Sequence, residues 1–386
     1  MKRPNFFSSQ LTVLRSLHFF NYATQTLIAT FFPLYFYDLG FTKLQIGAVY
    51  SVGPMMSIFA NLLAGIVSDK TQGLRRVLNL IFLGQIVALA LLLPQKEFVH
   101  ISLLMALMYL FQTPVNAMMD SMTLLAASTM KRSFASIRMF GSLGFALCSL
   151  VFGYVLKQTS SDLTLWLALG TVCGSLLISL GLADFQSKVG KFRFGGLLDI
   201  LKRGDTLVFF LLVAFVSIAH RMNEGFLGVA MRDLGASDDL IGYAWLASAA
   251  SEIPVFFLLA RYGDRFKEIP LLAIASLLYA VRLSLISVIH EPAGFIAVQA
   301  MHSVTFGIYY ITALRYLQSV VSDAYRSSGQ ALFSVVWTGI AGLIAGTVGG
   351  ALFDAYGLSV VFRTGAASAL IAAAGFMLVH LRKSRV

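Results

Sequence analysis

Gly65-Ile66-Val67-Ser68-Asp69-Lys70, followed closely by Arg75 and Arg76, ends one long apolar run, and Ala260-Arg261-Tyr262-Gly263-Asp264-Arg265 ends another. Either turn alone is an ordinary polar loop between hydrophobic segments. Their spacing says more: Asp69 and Asp264 lie 195 positions apart, close to the offset between apolar runs beginning near residues 12 and 206. Duplicated halves related by an axis along a membrane normal produce such a repeat.

Reading outward from these turns, stretches of about 20 apolar residues suit helical membrane spans. Twelve are expected, near 12–36, 44–67, 76–94, 100–127, 137–156, 163–183, 206–231, 239–260, 269–289, 293–317, 327–352 and 358–380. The longest polar stretch, Asp184 to Asp205, divides six from six. The expected organisation is a six-helix bundle over 1–184, a cytoplasmic linker over 185–205 and a second bundle over 206–386. Composition agrees with an all-α membrane protein: of 386 residues, 58% are hydrophobic and only 12% are charged.

The net charge of +11 follows the loops and not one surface. Lys70, Arg75, Arg76, Lys131, Arg132, Lys188, Lys191, Arg193, Arg261, Arg265, Lys267, Arg315 and Arg382 fall on one side of the expected topology, whereas Lys43, Lys96, Lys157 and Arg232 fall on the other. By the positive-inside rule both termini face the cytoplasm, the chain sits in the cell membrane, and no nucleic-acid partner is expected. The first apolar segment is full length and lacks a cleavage site, so it acts as a span. Cys148 and Cys173 lie inside spans five and six and provide neither a disulfide framework nor a metal cluster. The absence of P-loop, His-Glu-x-x-His and Gly-x-Ser-x-Gly motifs leaves an ATP-driven pump or a membrane hydrolase unsupported, and no cofactor or metal is expected.

Charges inside the spans are the strongest functional signal. Asp120, Arg138, Glu224, Glu252 and Arg282 interrupt apolar runs, although a single Asp or Arg at a bilayer centre costs roughly 2.5–3.5 kcal/mol. In antiparallel hairpins, residues equidistant from the shared turn lie at equal depth. On that arithmetic Asp120 is level with Arg138, Glu252 with Arg282, and Arg282 with His302, so opposite charges can meet directly or through a ligand. Gln112, Asn116 and Asp120 form a stripe along span four, and Asn21 and Gln25 a pair in span one. Such stripes serve either as helix glue or as the wall of a midplane cavity. Span seven carries His220, Arg221, Asn223 and Glu224 within one turn. Tyr309, seven residues after His302, is expected on the same face of span ten. Gly342, Gly346 and Gly350 indicate close helix packing.

The Gly-x-x-x-Asp turn with its following arginines resembles the signature between helices two and three of the major facilitator superfamily. That resemblance assigns Asp69, Arg75 and, in the second copy, Asp264 to a cytoplasmic gate. At span five, Arg138-Met139-Phe140-Gly141-Ser142-Leu143-Gly144-Phe145-Ala146 resembles the lactose permease branch, the oligosaccharide:proton symporters. The resemblance implies that Asp120 and Arg138 hold sugar hydroxyls. It also matches Glu252, Arg282 and His302 to the family's residues on helices eight, nine and ten. Phe145 replaces the family's stacking Trp, Asp120 its longer Glu, and Thr305 the proton-carrying carboxylate three residues beyond the histidine. Ser251-Glu252-Ile253-Pro254-Val255-Phe256 and His302-Ser303-Val304-Thr305-Phe306-Gly307 are similar to the phenylpropionate permease-like group, which is related to the nucleoside:proton symporters.

The expected function is therefore secondary active transport by a monomer, importing a small polar solute with protons. A saccharide or glycoside is favoured over a nucleoside or aromatic acid. Substrate-binding candidates are Asp120, Arg138, Phe145, Asn21, Gln25, Asn116, Glu252, His302 and Tyr309; coupling candidates are Glu252, Arg282, His302, Asp120 and Glu224. A proton-driven multidrug or metabolite exporter and a non-transporting solute sensor are the alternatives.

Overall fold

Each apolar run winds into helix, because a backbone amide in lipid has no water to bond and must find its partner within its own segment. The computed structural model describes residues 4–71, 74–132, 135–183, 204–262, 265–321, 329 and 332–383, and every regular element among them is helical. The elements are α1 (Pro4–Thr26), α2 (Phe32–Asp38), α3 (Lys43–Thr71), α4 (Leu74–Leu92), α5 (Phe98–Met130), α6 (Ala135–Gln158), α7 (Leu163–Leu180), α8 (Gly204–Asp233), α9 (Asp238–Tyr262), α10 (Glu268–Ile286), α11 (Gly294–Gln299), α12 (Ile308–Val320), α13 (Ala341–Tyr356) and α14 (Leu358–Lys383).

Three π-helical segments, Leu27–Phe31, Ser303–Gly307 and Val335–Ile340, lie within spans one, ten and eleven. Each of the twelve expected spans is thus helical over most of its described part. Nine helices among the described residues are long and apolar enough to cross a membrane. Pro54, Pro114 and Pro254 lie inside α3, α5 and α9. Neighbouring helices and local adjustments make such prolines tolerable in lipid. Most of the polar connector, 184–203, lies outside the described residues, as does Asp264.

The helices gather into two compact units. The first holds Met1–Phe41, Met55–Val189 and Ser237–Gly242; the second holds Thr42–Pro54, Gly190–Ala236 and Tyr243–Val386. In the first unit α1 packs on α6 and α7, and α4 on α5 and α7. Glycine permits the closest of these approaches: a Cβ at Gly144 of α6 would stand 2.5 Å from the Phe19 carbonyl oxygen of α1. In the second unit α14 packs on α10 and α8, and α8 also on α13. The start of α3 belongs here, and Asp354 of α13 accepts its Lys43 and Leu44 amides at 2.9 and 2.8 Å. A carboxylate at a helix N-terminus both fills unpaired donors and complements the helix dipole.

Candidate functional site

The α1–α6 contact brings together the polar groups of the first unit. Arg138, in the first turn of α6, donates from Nε to Asp120 Oδ1 of α5 at 3.1 Å. Its Nη2 donates to the Tyr22 hydroxyl of α1, and its guanidinium carbon lies 4.4 Å from the Tyr22 ring centroid. The Asp120 side chain is still 38% exposed, so the pair is not sealed within the helix packing. The two stripes expected on spans one and four meet: Asn21 Nδ2 donates to Asn116 Oδ1 at 2.8 Å. Nearby turns of the same helices join His18 Nε2 and Thr123 Oγ1 at 2.8 Å. Gln25 and Phe145 are half-buried on α1 and α6. Gln112 is buried, yet neither its amide nitrogen nor its oxygen has a partner among the described residues. Buried polar atoms in proteins are nearly always paired.

The second unit holds a denser network. Arg282 of α10 is 0% exposed, and its Nη1 donates to His302 Nδ1 and to Thr305 Oγ1, each at 3.0 Å. Its Nη2 donates to Gln299 Oε1. Because guanidinium can only donate, Nδ1 of His302 must accept, which leaves the proton on Nε2. That nitrogen lies 3.1 Å from Glu252 Oε1 of α9. Glu252 and Arg282 therefore communicate through the imidazole. A second carboxylate stands beside this chain: Glu224 of α8 is 2.7 Å from Arg221 Nη1 and 3.4 Å from His220 Nε2. His220 Nδ1 faces the Tyr279 hydroxyl at 3.1 Å. Arg221 also donates to the Trp337 carbonyl and to Thr338 Oγ1, at 3.3 and 3.1 Å, within the last π segment.

Rings surround the charges. Phe306 stacks on both His220 and His302, with centroids 4.9 and 5.0 Å apart, and Tyr310 continues the stack at 5.2 Å. Tyr309 does not stack on His302 and meets the cluster through Tyr279 and Trp337, which both contact His220. It is fully buried against Tyr279, Trp337 and Phe376. The π segment between them accounts for this, since a turn with one extra residue rotates the remainder of the helix by roughly 100°.

Of the residues expected at a gate, Arg75 donates from Nη1 to the Leu182 carbonyl at 2.8 Å. Asp69 lies near the end of α3 with its side chain outside the described residues, where Asp264 also falls. Sequence reasoning overlooked Tyr22, Tyr279 and Gln299. An aromatic or amide in an apolar helix carries no charge signal, and Tyr22 meets Arg138 across spans one and five, which no hairpin arithmetic connects.

Buried charges, paired inside two units built from long apolar helices, define a membrane carrier. The chain matches the MFS_1 like family over residues 11–364 and belongs to it. It is a secondary transporter of the major facilitator superfamily, an integral membrane protein and not an enzyme. It is 25% identical to the maltose permease of Geobacillus stearothermophilus over 329 residues, 82% of this chain and 81% of that one. To the probable 3-phenylpropionic acid transporter of Escherichia coli (strain K12) it is 24% identical over 337 residues, 83% and 85% of the two chains. The crystal structure of the nucleoside transporter NupG superposes with a TM-score of 0.80 at 18% identity, covering 96% of this chain and 98% of that one, which shows the shared fold.

Proposed function

We propose that this carrier is a proton-coupled symporter that takes up a small polar solute, a saccharide or glycoside ahead of a nucleoside or an aromatic acid. The observation that carries the reading is the Asp120–Arg138–Tyr22 group. A planar donor fork, a half-exposed acceptor carboxylate and an aromatic ring lie together, and a polyol needs donors and acceptors side by side. Asn21, Asn116, Gln25 and Phe145 extend this surface within the first unit. Similarity to a maltose permease supports the same choice.

Coupling is assigned to the second unit. Glu252 is the proton carrier, with His302 and Arg282 setting its charge state; Glu224 and Asp120 are the other candidate acids. Neutralising Glu252 removes one end of the Glu252–His302–Arg282 chain, which changes the charge that the carrier must move. Asp69, Arg75 and Asp264 are assigned to the cytoplasmic gate. The protein acts as a monomer in the cell membrane with both termini in the cytoplasm.

A second reading, uptake of an aromatic acid, is supported by the half-buried faces of Phe306 and Tyr310 and by the phenylpropionic acid relative. The two readings separate in one experiment. Labelled saccharides, nucleosides and phenylpropanoids are offered to vesicles containing the carrier, with and without an imposed pH gradient. Gradient-driven saccharide uptake is expected; uptake confined to phenylpropanoids selects the second reading, and gradient-insensitive uptake removes the proton.

A further inference from the structure

Arg15 of α1 takes no part in either cluster. It is half-buried, its Nε is buried without a hydrogen-bond partner among the described residues, and its guanidinium carbon lies 4.9 Å from the Phe140 ring centroid. A cation in this position calls for an anion. Beside it opens a groove of about 290 Å³ lined by Thr12, Arg15, Ser16, Phe19, Phe20 and Phe140.

The groove is graded along the helix. Thr12, Arg15 and Ser16 place two hydroxyls and a guanidinium at one end; Phe19 and Phe20, about one turn on, make the other end apolar. The gradient runs over roughly 12 Å at 1.5 Å per residue, the dimension of a headgroup with the first part of an acyl chain. Phe140 lies about 8 Å along α6 from Ala135. The polar end is therefore near the α5–α6 turn, where Lys131 and Arg132 are exposed. Basic side chains at a membrane surface raise the local share of anionic lipid in a bilayer without holding any one headgroup. Guanidinium also matches phosphate in geometry as well as charge.

We propose that this groove is a binding site for an anionic phospholipid, with the phosphate on Arg15 and Ser16 and an acyl chain along Phe19, Phe20 and Phe140. A free phosphate would use the cation and leave three rings uncovered, so the lipid is the occupant that matches both ends.

The test measures lipid binding to the full chain in detergent by native mass spectrometry, titrating phosphatidylglycerol against phosphatidylcholine, with inorganic phosphate as competitor. The intact chain is expected to prefer phosphatidylglycerol by about tenfold, the worth of one charge-assisted contact. Arg15→Gln should abolish the preference, Arg15→Lys should retain part of it, and millimolar inorganic phosphate should not displace the lipid. Ser16→Leu, which fills the groove without touching the charge, provides a second route to the same loss if Arg15→Gln does not fold. Lys131→Gln with Arg132→Gln should leave most of the preference intact. Equal binding of both lipids to the intact chain, an unchanged preference in Arg15→Gln or Ser16→Leu, displacement by inorganic phosphate, or loss of the preference in the Lys131/Arg132 variant would each overturn the site.

Discussion

The Nε2 of His302 lies 3.1 Å from Oε1 of Glu252, and the opposite ring nitrogen is already taken by Arg282. The imidazole is thus held between an anion and a cation as a neutral donor to the carboxylate. Adding a proton to Glu252 removes the charge that this donor serves. Glu252→Gln imitates that state permanently. The variant is expected to exchange solute across a vesicle membrane while failing to accumulate it against a gradient. Counterflow and pH-driven uptake, measured on the same preparation, check this. Accumulation driven by a pH gradient in the variant would move the proton site to Asp120 or Glu224.

Arg138 touches both Asp120 and Tyr22, and the two contacts differ in kind. Arg138→Lys keeps the charge but loses the planar fork, so solute affinity should fall by tenfold or more in a protein that still inserts. Tyr22→Phe removes one hydroxyl while leaving the ring under the guanidinium, and a loss of about 1 kcal/mol, some fivefold, is expected. Calorimetric titration of the solute identified by uptake reads both values. Unchanged affinity in Arg138→Lys would reduce the residue to a structural partner of Asp120.

Gln112 provides a test that separates binding from folding. Both amide atoms are buried without partners among the described residues, so Gln112→Leu removes a desolvated group and should leave the melting temperature unchanged or raise it. If the amide serves the solute, affinity falls at the same time by about 1–2 kcal/mol. A variant that melts lower would show that the amide is satisfied within the fold.

Helix approach can be tested at two glycines. A Cβ at Gly144 would meet the Phe19 backbone at 2.5 Å, whereas one at Gly170 would meet nothing within 4 Å. Gly144→Ala is expected to destabilise by about 1–3 kcal/mol, as overpacking does. Gly170→Ala should be neutral or slightly stabilising in its helix. Thermal unfolding in detergent compares them directly, and equal melting temperatures would mean that α1 and α6 are free to separate.

Much of this arrangement is legible in the sequence because a hairpin converts sequence distance into depth. Asp120 with Arg138, and Arg282 with His302, are neighbours through one short turn, and equal spacing from that turn sets them level. Glu252 and Arg282 are level by the same count, and they are joined by way of His302. The arithmetic is blind to azimuth once the helix is not regular. Counting seven residues puts Tyr309 on the His302 face, and the π segment Ser303–Gly307 leaves that count one residue short. Nor does depth reveal which non-consecutive spans touch. Tyr22 reaches Arg138 because Gly141 and Gly144 let α1 approach α6, a packing fact that becomes visible only once those helices are set side by side.

Arg282 raises a question of biosynthesis. Its three acceptors, Gln299, His302 and Thr305, all come from the span that succeeds it in the chain. A nascent α10 released alone into lipid would carry an unpaired guanidinium, a cost of roughly 2.5–3.5 kcal/mol on the insertion scale. The ribosome delivers the remedy about twenty residues later. Spans nine and ten therefore have reason to leave the translocation channel together, as a preassembled hairpin whose charge is covered before it meets hydrocarbon.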